Sequence, residues 1–305
     1  VQGYLKLAAQ GKYREALQLI KRENPFPAVC GRICNRRCED ACTRGTVDQA
    51  VAIDEVKRFI AQQDLDAATR FVPEKVIPKV DGAFDQQIAI IGGGPAGLSC
   101  AYYLAEKGYR PTVFEKEQRL GGMLENGLPS FRLEKDVVQA EIDVLREMGV
   151  QFRCGVEVGK DVTIAQLREQ GYQGFYVAVG LQSGGKLDIP GDDAQGVTAG
   201  IDFMLRVNGG QETKLEGRVV VIGGGNIAAD VARTAVRCGA ESVDLYCLES
   251  YDDMPMGPED RGECERDGIT IHAGWGQTEI VTENGHAAGI RFRKCCLLYT
   301  SDAAD

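Results

Sequence analysis

The pattern of apolar and polar positions changes character near residue 88. Over residues 4–21 apolar residues recur at helical spacing, and Gly11 is expected to separate two short helices. A further helix is predicted over residues 53–63. Residues 71–87 contain two prolines and show no period, which predicts a linker. From residue 88 onward, short apolar runs alternate with helical segments, which is typical of an α/β fold with parallel sheets.

The same order of strand, glycine-rich turn and helix occurs twice in this second part. Each copy begins with a short apolar run and continues into a second strand. The first copy has a strand at 88–91, a turn at 92–97, a helix at 98–107 and a strand at 111–115; the second has them at 219–222, 223–228, 229–238 and 243–248. Helices at 133–148 and 164–169 and a strand at 174–179 are predicted between the copies.

Composition excludes several classes of protein. The chain has 305 residues, which is enough for one large or two to three ordinary domains, and 44% of them are hydrophobic. No apolar run approaches the ~20 residues that span a bilayer, so a transmembrane protein is not expected. The net charge is −10, with 45 acidic and 35 basic residues, and this argues against nucleic acid as a main partner.

The two ends of the chain are both expected to be cut. Residues 296–305 resemble the translation of a transposon sequencing adapter, so residues 295–305 are interpreted as a non-native tail, with a genuine polar tail as the alternative. The chain begins with Val1 rather than Met. No signal peptide precedes the first helix, and a reducing cytoplasm is the expected location.

The glycines of the two turns predict two phosphate-binding sites. In such a turn one glycine permits the tight bend, a second lets pyrophosphate approach the backbone, and a third lets the helix pack closely on the strand. Ala is an accepted third member. The predicted residues are Gly92, Gly94, Pro95, Ala96 and Gly97 in the first turn, and Gly223, Gly225, Asn226, Ile227 and Ala228 in the second.

Two dinucleotide sites in one chain suggest a flavin and a nicotinamide. Glu115 ends the second strand of the first copy, where a carboxylate binds ribose hydroxyls, and Gly121 and Gly122 follow it, so FAD is assigned to this copy. Glu249 ends the corresponding strand of the second copy. Because Glu249 would repel a 2′-phosphate, we expect NADH to be preferred over NADPH, unless this side chain is only a solvated surface group.

Four cysteines recur at intervals of four residues: Cys30, Cys34, Cys38 and Cys42. On one unbroken helix they would extend about 18 Å, too far for a single cluster. Either the segment folds around a metal, or these residues serve two clusters. A flavin partner favours iron–sulfur over zinc, which carries no electrons, and inert thiols are a third alternative. Beyond Cys42 no C-x-x-C pair is present, so a flavin disulfide reductase is unsupported.

The order of these motifs resembles the small subunit of NADPH-dependent glutamate synthase and a module of dihydropyrimidine dehydrogenase. The cysteine segment, the linker and the paired turns carry the resemblance, together with segments such as Ile189-Pro-Gly191 and Ala178-Val-Gly180. It implies a helical domain with two [4Fe–4S] clusters and an FAD domain into which an NAD(P) domain is inserted. It also implies that Cys34, Cys38 and Cys42 are ligands, with Cys30 as a further candidate, and that Gly180 belongs to the FAD site.

Three departures from that family point to a side branch with another electron acceptor. The Cys34–Cys38 spacing is two residues shorter, and Lys57 stands where relatives place a Gln or Glu ligand. Leu248 and Glu249 stand where paired arginines are expected to bind the NADPH phosphate.

The sequence therefore predicts an α/β protein with two Rossmann-like domains preceded by a small all-α iron–sulfur domain. It is expected to be an NAD(P)H-dependent oxidoreductase that passes electrons through FAD and [4Fe–4S] clusters to a partner subunit or acceptor. A stand-alone flavin reductase of a small acceptor and a zinc-bound, non-catalytic nucleotide-binding scaffold are the alternatives. The predicted domains are 1–70 (iron–sulfur), 71–87 (linker), 88–215 (FAD), 216–294 (NAD(P)) and 295–305 (tail).

Overall fold

The computed structural model of the chain describes residues 1–74, 84, 86–211 and 214–295. Most of the predicted linker and the predicted tail at 296–305 lie outside these residues. The chain divides into two units, residues 1–181 and residues 182–305. The domain boundaries predicted from the sequence stay predictions. No helix in the described ranges is long and apolar enough to cross a membrane.

Short helices make up the first part of the first unit. They are α1 (Gln2–Ala9), α2 (Tyr13–Lys21), α3 (Pro27–Ile33), α4 (Arg37–Asp40) and α5 (Ile53–Ala61). The predicted break at Gly11 is confirmed, because this residue has a φ of 72° between α1 and α2. Leu17, Ile20 and Ile60 are buried in a small apolar cluster that joins α2 to α5.

A four-stranded parallel sheet follows in the same unit. Its elements are β1 (Gln87–Ile91), α6 (Pro95–Glu106), β2 (Arg110–Glu115), α7 (Met123–Asn126), α8 (Lys135–Glu147), β3 (Gln151–Cys154), α9 (Ile164–Glu169) and β4 (Tyr172–Val177). The strand order is β3-β2-β1-β4, and every pair is parallel, as predicted. Helix α6 begins at Pro95, three residues before the predicted start, because proline fits the first position of a helix.

The core of the sheet continues into the cysteine-bearing part of the unit. Phe26 and Val29, at the start of α3, belong to the same buried apolar cluster as Ile90 of β1, Leu98 of α6 and Ile142 of α8. Burial of a large apolar side chain stabilises a fold by roughly 1.5–3 kcal/mol. Helix α3 is therefore packed onto the sheet's helices rather than tethered beside them.

The second unit contains a smaller parallel sheet and a hairpin. Its elements are α10 (Gly200–Asn208), β5 (Arg218–Ile222), α11 (Asn226–Arg237), β6 (Ser242–Cys247), α12 (Pro258–Arg266), β7 (Thr270–Ala273), β8 (Trp275–Glu283) and β9 (His286–Lys294). The parallel order is β5-β6-β7, and β8 pairs antiparallel with β9. Asn284 and Gly285 join the hairpin, both with positive φ, as a tight two-residue turn requires.

Candidate functional site: two glycine turns and a cysteine segment

The first glycine turn joins β1 directly to α6. The Gly92 N–H donates to the Phe114 carbonyl over 2.8 Å, which fixes the turn to the end of β2. Gly94 is the residue before the helix, and Pro95, Ala96 and Gly97 form its first turn. N–H groups in the first turn of a helix have no partner within the helix, so this end of α6 can bind an anion.

Two positions in this turn leave no room for a side chain. Gly92 has a φ of 111°, and a Cβ there would lie 2.2 Å from the Ala178 carbonyl oxygen. A Cβ on Gly97 would lie 1.9 Å from the Gly92 carbonyl oxygen. The turn is therefore a bare backbone cradle, which fits the close approach of a dinucleotide pyrophosphate.

The second glycine pair closes on the first turn. The Gly121 N–H donates to the Gly93 carbonyl over 2.8 Å. A Cβ on Gly122 would lie 2.8 Å from the Gly94 Cα, so this contact also requires backbone alone. The structure thus brings the predicted residues of positions 92–97 and 121–122 together around one cradle.

Glu115 lies beneath this cradle at the end of β2. Its side chain is buried, Oε2 accepts from the Gly93 N–H over 2.7 Å, and Oε1 accepts from the Glu117 N–H over 2.9 Å. A carboxylate has about four acceptor positions, so two remain for ribose hydroxyls. Backbone groups hold the carboxylate in place before any ligand binds.

Gly180 stands apart from the other predicted flavin-site residues. It is exposed beyond the end of β4, with a φ of 71°, and no described atom lies within 4 Å of where its Cβ would be. Ala178 instead contacts the turn, through its carbonyl at Gly92 and its N–H bond to Ile91. Sequence reasoning missed Ala178 and Gly93 as structural members of the site, because both act through backbone atoms.

The second glycine turn joins β5 to α11 by the same plan. The Gly223 N–H donates to the Tyr246 carbonyl over 2.9 Å, and Gly225 precedes the helix. Asn226, Ile227 and Ala228 form the first turn of α11. Ile227 is 62% exposed, whereas Ala228 is buried against β5. The helix begins three residues before the predicted start, and the Ala228 N–H donates to the Gly225 carbonyl over 3.0 Å.

A loop that the sequence did not predict covers this second turn. The Met256 N–H donates to the Gly224 carbonyl over 2.9 Å, and the Gly257 N–H donates to Asn226 Oδ1 over 3.3 Å. Glu249 stands two residues beyond β6, with Oε2 only 2.8 Å from where a Cβ on Gly224 would lie. Within the part of the chain that the structure describes, no group donates a hydrogen bond to this carboxylate.

The four clustered cysteines lie on a folded segment rather than on one helix. Cys30 is in α3, Cys34 follows its last residue, Cys38 is in α4, and Cys42 follows that helix. Arg36, with a φ of 54°, separates the two helices. All four are half-buried free thiols, a donor set that suits an iron–sulfur cluster. Among the described residues, no three Cys, His, Asp or Glu side chains are gathered closely enough to hold a metal ion.

Backbone hydrogen bonds and burial shift the pKa values of Cys42 and Cys30 in opposite directions. The Val51, Arg44 and Gly45 amides lower the pKa of Cys42, which favours the thiolate that a metal requires. Burial raises the pKa of Cys30, whose Sγ lies 3.6 Å from Asn24 Oδ1.

Lys57 adds a positive charge beside this segment. Its ammonium bonds Asp54 over 2.6 Å and interacts electrostatically with Cys34 and Cys30. Lys57, at the position where the resemblance predicts a Gln or Glu ligand, is thus a cation paired with a buried carboxylate.

Comparison with known families decides the class of this chain. Residues 86–293 match the family described as pyridine nucleotide-disulphide oxidoreductase, which is more than half of the chain. The chain belongs to the pyridine nucleotide-disulphide oxidoreductase family. Residues 1–69 of this oxidoreductase match the family described as dihydropyrimidine dehydrogenase domain II, 4Fe-4S cluster. The predicted fold class, the predicted class of enzyme and the cofactor set of FAD, NAD(P)H and [4Fe–4S] clusters are thereby confirmed.

Curated relatives of the oxidoreductase are longer than this chain. It is 35% identical to the NADP(+)-dependent formate dehydrogenase subunit beta of Moorella thermoacetica, over 95% of this chain and 44% of that protein. It is 38% identical to the glutamate synthase [NADPH] small chain of Halomonas elongata, over 88% of this chain and 58% of that protein. These matches confirm the resemblance to the glutamate synthase small subunit, and the chain spans about half the length of these relatives.

Solved structures support the fold alone. Mycobacterium tuberculosis FprA in complex with NADPH has a TM-score of 0.54 and 17% identity, covering 70% of this chain and 67% of that one. The 2-naphthoyl-CoA reductase complex has a TM-score of 0.58 and 16% identity, covering 79% of this chain and 33% of that one. Both likenesses are consistent with the parallel sheets described above.

Proposed function

We propose that this oxidoreductase passes electrons from NAD(P)H through FAD to [4Fe–4S] clusters and then to a partner subunit or acceptor. One observation carries the proposal: two backbone cradles for dinucleotides occur in the same chain as four half-buried thiols. NAD(P)H supplies a hydride, and bound FAD takes up its two electrons and releases them singly to one-electron acceptors.

Each part of the chain has its own role in this proposal. The FAD site is formed by Gly92, Gly94, Pro95, Ala96, Gly97, Glu115, Gly121, Gly122 and Gly180. The NAD(P) site is formed by Gly223, Gly225, Asn226, Ile227, Ala228 and Glu249. The cluster ligands are Cys30, Cys34, Cys38 and Cys42. No acid–base side chain is assigned, because hydride transfer depends chiefly on how the two rings are positioned.

The electron acceptor is proposed to be a partner protein. Two relatives are named as a formate dehydrogenase subunit beta and a glutamate synthase small chain, so they are parts of larger assemblies. The free thiols support a reducing cytoplasm as the proposed location. Lys57 and Glu249 depart from the glutamate synthase pattern, which favours an acceptor other than that of glutamate synthase.

NADH is the proposed preferred donor. The Glu249 carboxylate lies over the second glycine turn, next to Gly224, where the adenosine ribose binds in a site of this plan. A 2′-phosphate would bring a second negative charge to this place. Several relatives use NADP(H) by name, so this choice of donor is a specific proposal for this chain.

The test is an anaerobic absorbance titration of the full-length, cofactor-loaded protein, with NADH and NADPH in parallel. We expect the flavin band to bleach together with a broad iron–sulfur shoulder, at lower NADH than NADPH. Bleaching of flavin without the shoulder would favour the stand-alone flavin reductase. Well-folded protein that binds zinc and shows neither absorbance would contradict electron transfer and favour the scaffold.

A further inference from the structure

Helix α8 contacts both the Gly121–Gly122 pair, which closes on the first glycine turn, and the cysteine segment. Val138 of α8 faces that pair, since its Cγ1 lies 3.2 Å from where a Cβ on Gly121 would be. Glu141, three residues later in α8, contacts helix α3. Its carboxyl oxygens accept from the Ala28 N–H over 2.9 Å and from the Val29 N–H over 2.8 Å.

These two amides are the unpaired N–H groups at the start of α3. Pro27, the first residue of that helix, has no N–H, so Ala28 and Val29 carry the donors that need partners. No side chain of α3 itself caps this end. The Glu141 side chain is completely buried, as is Ala28, so water cannot replace the carboxyl group as an acceptor.

A second carboxylate, on the residue just before α8, bonds near the other end of α3. Glu134 precedes α8 and is seven residues, or two helical turns, from Glu141, so both lie on one face. Its Oε2 accepts from Arg32 Nε over 2.7 Å. Cys30 lies between Val29 and Arg32, and it is therefore bracketed by the two contacts.

We propose that Glu141 is a positioning residue that seats α3 on α8 and thereby fixes the spacing between the cysteine segment and the flavin site. Its bond to Val29 stands next to Cys30, and Val138 on the same helix touches Gly121. The inference rests on the proposed function, because the spacing matters only if electrons pass from flavin to cluster. Glu134 and the apolar contacts of Phe26 assist, but among the side chains that the structure describes only Glu141 accepts from the first amides of α3.

The test compares E141A and E141Q in the full-length, cofactor-loaded protein. E141Q keeps the side-chain volume and one acceptor, so it reports even if E141A fails to fold. The matched control is E147Q. It removes a half-exposed carboxylate of α8 that bonds Arg70, which lies in the part of the unit before the parallel sheet.

Hydrogen exchange of the Ala28 and Val29 amides is the first measurement. We expect exchange about 10- to 100-fold faster in E141A and an intermediate rate in E141Q, the range expected for lost bonds to a buried acceptor. In stopped-flow reduction, the flavin should bleach at the wild-type rate. Reduction of the clusters should be about tenfold slower in E141A than in wild type, with an intermediate rate in E141Q. E147Q should match wild type in both.

Unchanged exchange in E141Q would overturn the proposal, and so would faster exchange with wild-type arrival of electrons at the clusters. The second outcome would reduce Glu141 to a purely structural residue. A wild-type flavin that neither nicotinamide reduces would instead contradict the proposed function. The exchange rates of the Ala28 and Val29 amides in E141A and E141Q would then still decide whether Glu141 holds α3 on α8.

Discussion

The two glycine turns share a plan but differ in how tightly they are built. At the third position of the first turn, a Cβ on Gly97 would overlap the Gly92 carbonyl at 1.9 Å. At the same position of the second turn, Ala228 is accommodated, and its Cβ lies 3.5 Å from where one on Gly223 would be. A glycine is required where helix and strand make backbone contact, and alanine suffices where the helix stands slightly farther away.

The acids next to the two turns, Glu115 and Glu249, also differ in how firmly their carboxylates are held. Backbone amides hold the buried Glu115 carboxylate at both oxygens, whereas the carboxylate of the half-buried Glu249 accepts no hydrogen bond from the described residues. A carboxylate fixed in advance suits a cofactor that stays bound. A carboxylate without such bonds is consistent with a donor that binds and leaves in each turnover.

The largest expected effect comes from exchanging the third residues of the turns. G97A should cost about 2–4 kcal/mol of unfolding free energy and abolish flavin binding, because the new Cβ cannot be placed without moving the strand. A228G should cost only about 1 kcal/mol, the helix propensity of alanine over glycine. Urea unfolding and flavin absorbance measure both. Equal costs would show that the two turns are equally tight.

Removal of the two acids, Glu115 and Glu249, should show a further difference between the turns. E115A should destabilise the protein by about 1–3 kcal/mol and weaken flavin binding at least tenfold, because the buried Gly93 N–H and the more exposed Glu117 N–H lose their acceptor. E249A should leave the unfolding free energy within about 0.5 kcal/mol of wild type. Calorimetry of FAD binding to the apoprotein checks the first. Flavin affinity unchanged in E115A would mean that the cradle needs no carboxylate.

Two acids outside the glycine turns, Glu141 in the first unit and Asp267 in the second, should give opposite dependences of stability on pH. Burial raises the pKa of Glu141 to about 8, against the opposing effect of the Ala28 and Val29 amides and the Lys21 charge, while Asp64 raises it further. Because the folded protein holds this proton more tightly than the unfolded chain, stability should fall as pH rises from about 4.5 to 8, by at most about 1.4 kcal/mol per unit.

Asp267, in the second unit, should behave in the reverse way. Hydrogen bonds from Arg237 and Arg233 hold its pKa below the usual value, so the stability it contributes should be lost as pH falls below about 4. Thermal unfolding across pH, with E141Q and D267N as variants that no longer titrate, measures both slopes. A stability that rises with pH up to 8 in wild type relative to E141Q would contradict the Glu141 assignment.

The smallest expected effect concerns the choice of nicotinamide. E249Q should tighten NADPH binding about 5- to 10-fold relative to NADH, since one partly solvated like-charge contact is worth roughly 1 kcal/mol. E216Q removes the same charge from an exposed residue of the same unit and should change neither affinity. Fluorescence titration measures the ratio. An unchanged ratio in E249Q would identify Glu249 as a solvated surface group.

Local patterns predicted much of the fold. The repeated strand, turn and helix were correct because apolar period and glycine spacing are properties of neighbouring residues. Helix α12 was missed because it is polar on almost every side, with only Asp260 and Cys264 buried. The β8–β9 hairpin was missed although Asn284-Gly285 carries its signal, because the flanking strands lack clear alternation.

The candidate site divides along the same line. The glycines of the two turns, Glu115 and Glu249 could be predicted from spacing, since each lies within a strand–turn–helix–strand copy or directly after it. Gly121, Gly122 and Gly180 lie outside both copies. The contact of Glu141 with Ala28 joins residues 113 positions apart, and the Met256 contact is made by backbone atoms. Such contacts leave no short motif, so only the structure reveals them.

The shared core of α3 and the parallel sheet limits how this chain can be divided or recombined. Phe26, Val29 and Ala61 fill the same apolar interior as Ile90 and Ile142. A flavin fold excised within residues 71–87 would expose that interior to water, and it would be prone to self-association. The cysteine segment therefore cannot be transferred to another protein on its own. Any natural exchange of it between relatives would require matching apolar residues in the segment and in the sheet domain.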